Sequence, residues 1–434
     1  MRLVLLVCFI FLASSISVKA APSREAAVNI ITYWPTGFRI DNTDQGTRVR
    51  RLLQKIKALG VTTVIFNFRA RMIGGNSNEV FSVVPSELQR EEEYHLEATI
   101  QYAKGLGLQA AFRPILLVVG PKGEFPWEDE QGKLWWHGNI NPTDPQLWFR
   151  SFFNYHARYL KIAKRTGAAW YSIGAEMHSL TSGLGSRSKT QRFGRPDLWI
   201  KFIFQTRQIL GKDVKITYGA NFTDQYVLEN GVRTWGGEFE QWRHDLTFKA
   251  QTDEEILHQQ YLRNFWSELD FIGVDYYRAL GAADTHYPTE YDKLMNVLTP
   301  FSHHYAYQLQ NSVNQINTAT HTRKLLAIQE VGYRSVEKCF VSPYLYEGDD
   351  APINYQHQAV AWDALLSSVW NPQMNWISSV GIWQVLVDDD TDTTTNGGFS
   401  PLGKEPTEKV LKKYFKDGHA THTSSPLADP IPFQ

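Results

Sequence analysis

The sequence predicts an α/β fold, a single (β/α)8 TIM barrel, on three observations. Eight short β-type runs recur from one end of the chain to the other. A longer stretch with apolar residues on one helical face follows each in turn, and no linker or shift of composition divides the series. A doubly wound open sheet is the alternative, since alternation alone does not require closure.

Taken in order, the strands are expected at "AVNIITY" (27–33), "VTTVIFNF" (61–68), "LQAAFRP" (108–114), "AAWYSIG" (168–174), "VKITYGA" (214–220), "DFIGVDYY" (270–277), "LLAIQE" (325–330) and "VGIWQV" (380–385). Between them "TRVRRLLQKIKALG", "LWFRSFFNYHARYLKIAKRTG", "LWIKFIFQTRQILG" and "YQHQAVAWDALLSSVW" carry helical periodicity, and several end on glycine, a common helix stop. In a closed barrel every strand would end at the same rim, where loops build a site.

The chain begins with Arg2, an apolar run from Leu3 to Ala13, and Val18-Lys19-Ala20-Ala21, which has the small residues of a cleavage site. Residues 1–20 are expected to be a secretory signal peptide, since the run is too short to span a bilayer; 21–418 form the barrel and 419–434 a C-terminal tail. A secreted, extracellular protein is the expectation. Removing Arg2 and Lys19 takes the formal charge from −1 to −3. Signs are mixed throughout, which calls for neither nucleic acid nor a membrane surface, and a monomer is expected. Cys8 leaves with the leader, so Cys339 has no intramolecular partner and is read as a small buried hydrophobe.

Two apolar strands end on a carboxylate, which burial penalises: Glu176 closes "WYSIGAE" and Glu330 closes "LLAIQE". Period-two alternation groups Glu176 with Trp170, Ser172 and Gly174, and Glu330 with Leu326 and Ile328. A helix cap or rim salt bridge would explain either alone. Strands four and seven lie across a barrel from each other, however, and two facing carboxylates suit acetal cleavage, one giving a proton and the other attacking the anomeric carbon. The acid needs its pKa raised, which apolar neighbours and the second carboxylate could supply. Trp34, Tyr276, Tyr277 and Trp383, with Trp135 and Trp136 in the loop after strand three, add aromatic faces at the strand ends, as a sugar ring requires.

The motifs "SIGAEMHSL", "ITYGANFTD", "DFIGVDYY", "AIQEVGYRS", "GIWQV" and "SPLGKEPTEKVLKKYF" resemble glycoside hydrolase family 113 over roughly residues 27–416. The resemblance implies a retaining clan A enzyme on a (β/α)8 barrel, chiefly an endo-acting β-1,4-mannanase. By position it makes Glu176 the general acid/base and Glu330 the nucleophile. It sets Tyr277 beside Glu330, with Tyr276 as the neighbour if a bulge swaps them. Asn221 and Trp383 would touch the sugar held between the glutamates. Ala175 stands before the acid/base, where many clan A enzymes have Asn. The family's Trp-Arg-Gly appears as Trp136-His137-Gly138, and its Lys-Pro-His-like segment as Arg113-Pro114-Ile115. Both departures fall where substrate contacts are expected.

The run "DDDTDTTTNGGF" (388–399) lacks the spacing of an EF-hand and reads as a solvated loop; an inward Asp388 or Asp389 would suit sugar hydroxyls. "NFT" makes Asn221 a glycosylation sequon, expected unmodified if Asn221 contacts substrate. His137, His178, His303 and His304 lack metal-ligand spacing, and neither metal nor other cofactor is expected. The candidate substrate-binding set is Trp34, Trp136, His137, Asn221, Tyr276, Tyr277 and Trp383. The function expected is double-displacement hydrolysis of mannan-type polysaccharide. Its alternatives are the same chemistry on another β-linked glycan, exo cleavage, or a barrel that only binds glycans.

Overall fold

The strands β1 (Glu25–Ile31), β2 (Thr63–Ile73), β3 (Gln109–Val119), β4 (Trp170–Ala175), β5 (Lys215–Thr223), β6 (Ile272–Tyr277), β7 (Leu326–Val331) and β8 (Ile377–Leu386) run parallel around a closed ring. Closure rests on β1, which pairs with β2 at Ala27 opposite Thr63 and with β8 at Glu25 opposite Ser379. An open sheet is thereby excluded. The computed structural model describes residues 24–184, 192–229, 232–345, 351–371, 374–388 and 397–417. The expected leader, the tail from residue 419 and residues 389–396 of the acidic run lie outside them.

Each expected strand is present, with edges displaced. β2 and β3 run about five residues past their apolar patterns because they pair continuously, from Thr63 opposite Gln109 to Ile73 opposite Val119. Helices α1 (Asp44–Ala58), α2 (Gln89–Gly105), α3 (Pro145–Thr166), α4 (Pro196–Leu210), α5 (Asp253–Glu268), α6 (Tyr291–Thr320), α7 (Tyr355–Val369) and α8 (Glu405–Phe415) follow the strands in turn. A further helix, Gly237–Thr247, precedes α5. Their ends carry local signals: Thr43 and Asp144 accept backbone amides at the starts of α1 and α3, and Gly167 ends α3 in the left-handed region at φ 63°. Among the described residues no helix is long and apolar enough to cross a membrane. Cys339 is buried, as expected.

Two buried layers result. Val64, Phe66, Phe112, Tyr218, Val274 and Ile328 face the helices and pack with residues such as Trp199, Trp242 and Trp266. Inside the ring, Ala27, Ile65, Ala111, Trp170, Phe271 and Ala327 fill the base. Above that apolar plug the interior turns polar, and there the two glutamates emerge.

They do not emerge by simple alternation. Gly174 points toward the helices, where a Cβ would lie 2.8 Å from the Trp199 ring, and Leu326 and Ile328 also belong to the outer layer. The β4–β5 register slips between Ser172/Thr217 and Ala175/Gly219, and β7 slips against both neighbours after Ile328. In β7 the slip supplies the half-period that turns Glu330, three residues past the inward Ala327, toward the site; in β4 it puts Ala175 opposite Gly219, and Glu176 reaches the site through its own left-handed turn at φ 52°. The expected groupings of Glu176 with Gly174, and of Glu330 with Leu326 and Ile328, are therefore corrected.

Candidate active site

A belt of polar side chains crosses the barrel interior and ends on Glu330. Asn29 on β1 donates to the carbonyls of Gln329 and Ile382, Asn67 on β2 donates to Asn29, and Arg113 on β3 donates to Asn67 at 3.4 Å. Nη2 of Arg113 then reaches Oδ2 of Asp275 at 2.7 Å and Oε2 of Glu330 at 2.6 Å. The other oxygen of Glu330 accepts the Tyr277 hydroxyl at 2.5 Å. Both carboxylate oxygens are thus held, which fixes the plane of the group.

Burial pushes the Glu330 carboxyl above the usual carboxylate range, and the charges of Asp275 and Glu176 add to that, against Arg113 and the Tyr277 hydroxyl. Burial likewise raises Asp275, with Glu176 and Glu238 adding. Burial opposes the charge on Arg113, but Asp275 and Glu330 more than offset it and keep the guanidinium protonated. One cation faces three carboxylates.

Glu176 follows β4 with φ 52°, a left-handed conformation that few residues with a Cβ adopt. Two bonds hold it there: its own amide donates to the Gly219 carbonyl at 2.7 Å, and the Met177 amide donates to the Tyr218 hydroxyl at 2.6 Å. Tyr218 in turn donates to Glu238 at 3.0 Å. The side chain of Glu176 meets His137, whose Nε2 lies 3.1 Å from Oε2. Nδ1 of that ring lies 3.1 Å from the Leu116 carbonyl.

The other expected residues separate into two groups. Tyr277 and Trp383 are brought to the site: they share an apolar cluster with Ile31 and Phe399, and Arg113 sits 5.8 Å from the Trp383 ring centroid. Trp136 stands edge to face with His137 at 5.0 Å, and Trp34, half exposed, lies just past β1. Tyr276 is not brought to the site. It points outward and packs on Phe222 and Tyr305, as strict alternation from Tyr277 requires. Trp135 is buried, with its indole N–H on Asp129.

Four further residues expected at the substrate make contacts within the protein. Both ring nitrogens of His137 lie within hydrogen-bonding distance of protein oxygens, those of Leu116 and Glu176. Asn221 is 1% exposed; its Oδ1 accepts the Glu238 amide at 2.7 Å and its Nδ2 has no protein partner, so it braces the helix start at least as much as it faces the cleft. Asp388 turns toward β1, accepting from the Thr32 hydroxyl and the Tyr33 amide rather than standing free for hydroxyls. Arg113, expected among substrate contacts, is committed to Asp275 and Glu330. His178 is partly buried, and burial lowers its pKa to about 4.

Arg113, Asp275, Tyr218 and Glu238 carry the site's architecture without having been singled out for it. A charge within an otherwise apolar strand was the available signal for the first two, the same anomaly that marks the glutamates. Among the described residues no group of three His, Cys, Asp or Glu could hold a metal ion.

A closed barrel with carboxylates at the ends of its fourth and seventh strands and aromatic faces at the same rim is the architecture of a (β/α)8 glycoside hydrolase, and that is the class of this chain. Residues 32–228 match the model of Glycoside Hydrolase Family 113, which bears out the resemblance drawn from the motifs. The solved complex of a GH113 β-1,4-mannanase superposes with a TM-score of 0.56 at 20% identity, covering 91% of this chain and 99% of that one. The GH113 β-mannanase AaManA from Alicyclobacillus acidocaldarius, in complex with ManMIm, gives 0.60 at 16% identity, covering 91% and 98%. At these identities the likeness is one of fold. No curated protein matches the sequence.

Proposed function

We propose that the protein is a secreted, monomeric, retaining β-glycosidase, an endo-β-1,4-mannanase, working without cofactor. Glu330 attacks the anomeric carbon while Glu176 protonates the leaving oxygen; Glu176 then takes a proton from the water that releases the sugar. The observation that carries this reading is the paired setting of the two acids. They lie close enough for the charge of Glu176 to act on Glu330, while Tyr277 and Arg113 grip both oxygens of Glu330 as a nucleophile requires. Burial among negative charges favours loss of that negative charge into a covalent bond, and one cation against three carboxylates leaves room for the proton the cycle needs. Trp34, Trp136 and Trp383 supply the faces on which sugar rings stack.

Proton NMR of the first product from defined mannooligosaccharides tests substrate, cut position and anomeric outcome together. A β-configured product from an internal bond is expected. An α-configured first product would overturn retention, and inert mannooligosaccharides with turnover on another β-glycan would overturn the substrate. Glu330→Ala should lower turnover by at least about 10³-fold with the melting temperature retained. Full activity in that variant would remove Glu330 from the mechanism.

A further inference from the structure

We propose that His137 is a positioning residue for the acid, and that His137 and Glu176 hold a single proton between them which is the one delivered to the leaving oxygen. The proposal rests on the acid/base reading of Glu176 and extends it to the source and custody of the proton.

The hydrogens along the line Leu116–His137–Glu176 can be counted. The Leu116 carbonyl only accepts, so Nδ1 of His137 carries a hydrogen and donates it at 3.1 Å. If the ring is neutral, Nε2 then has a lone pair and no hydrogen. That lone pair faces Oε2 of Glu176 at 3.1 Å, a hydrogen-bonding distance, and an ionised Glu176 would oppose it with another lone pair. The contact is attractive only when one proton lies on the line. It can be written as a carboxylic acid donating to neutral imidazole or as imidazolium donating to carboxylate, and both forms have the same total charge.

The pair sits among other polar and charged groups. The titratable and charged groups in electrostatic reach are Arg113 on β3, Asp275 and Tyr277 on β6, Glu330 on β7, and Glu238 on the helix Gly237–Thr247. The ring has little freedom to turn away, since Trp136 stands edge to face with it and Leu116 holds its far side.

The steps balance. In the first, the glycosidic C–O bond breaks, Glu330 bonds to the anomeric carbon, and the leaving oxygen takes the shared proton. The pair is then neutral imidazole facing carboxylate. In the second, water attacks, the bond to Glu330 breaks, and the proton from water restores the pair.

The test compares wild type, His137→Phe, His137→Gln and Glu176→Ala on mannopentaose and on 2,4-dinitrophenyl β-mannobioside, whose leaving group needs no proton. His137→Phe should lose about ten- to a hundredfold in kcat/KM on mannopentaose, with the aryl glycoside within about twofold and the alkaline limb of the pH profile moved to lower pH. His137→Gln, which can donate a hydrogen bond but cannot exchange a proton, should show the same split. Equal losses on both substrates, or an unchanged alkaline limb, would overturn the pairing, as would 15N spectra of the wild type showing Nδ1 of His137 without a hydrogen. The spectra decide the matter even if neither variant folds. Glu176→Ala separates the two readings: undiminished cleavage of mannopentaose there would sink the acid assignment itself.

Discussion

Asp275 and Glu330 share one guanidinium nitrogen, Nη2 of Arg113, at 2.7 and 2.6 Å. Each carboxylate therefore competes for the same cation and raises the cost of ionising the other. Asp275→Asn removes one competitor and leaves Arg113 to Glu330. Glu330 must be ionised to attack, so the acid limb of kcat/KM should move to lower pH, by about one unit. An acid limb that stays in place would show that the shared cation does not govern Glu330.

The Tyr277 hydroxyl bonds the remaining oxygen of Glu330. Tyr277→Phe keeps the ring in its cluster and removes only that bond, so a fall of about tenfold to a hundredfold in kcat is expected with a melting temperature close to wild type. A loss confined to KM would assign the hydroxyl to substrate binding instead.

Tyr218 supports the other acid from behind, through the Met177 amide and Glu238. Tyr218→Phe strands a buried N–H next to a left-handed residue, and should cost about 1–3 kcal/mol in denaturant unfolding. It should also lower activity without touching substrate. Unchanged stability would mean that the Gly219 carbonyl alone holds Glu176.

How far the sequence was legible follows from these residues. The ring of strands could be read because apolar runs and helical stripes are local patterns, and Glu176 and Glu330 stood out as charges those patterns do not accommodate. Tyr277 rather than Tyr276 followed from alternation in β6, which has no slip between Gly273 and Tyr277 against β5. The bulges in β4 and β7 were not legible: a slip of register changes pairing with neighbours but not the composition of the strand. Nor did sequence reveal that Arg113, in the third strand, closes on Asp275 and Glu330, in the sixth and seventh, since that contact exists only after the ring has closed. The protein contacts of His137 and Asn221 were hidden for a related reason, because their partners Leu116 and Glu238 carry no motif.

Glu238 gives a stability prediction independent of activity. Burial raises its carboxyl to about 8 despite bonds from Thr181, Tyr218 and the Asn221 amide. The folded state then holds the proton more tightly than the unfolded one. This contribution is fully present below the ordinary carboxylate range and is lost as pH rises through about 8. Urea unfolding of wild type should therefore weaken between pH 5 and pH 9 more steeply than that of Glu238→Gln. Parallel curves would rule Glu238 out as the group responsible.

The two register slips have a consequence for how such a chain can vary. Because each slip is one extra residue, removing a residue from 173–174 or from 328–329 would make the pairing regular and leave Ala175 opposite Gly219 and Glu330 opposite Asp275; β6 has no such slack, and losing Tyr276 would turn Tyr277 away from Glu330 toward the helices. A bulged strand can lose one residue and keep its partners, and an unbulged one cannot. A library built by random single deletions should therefore return its active survivors with Ile272–Tyr277 intact.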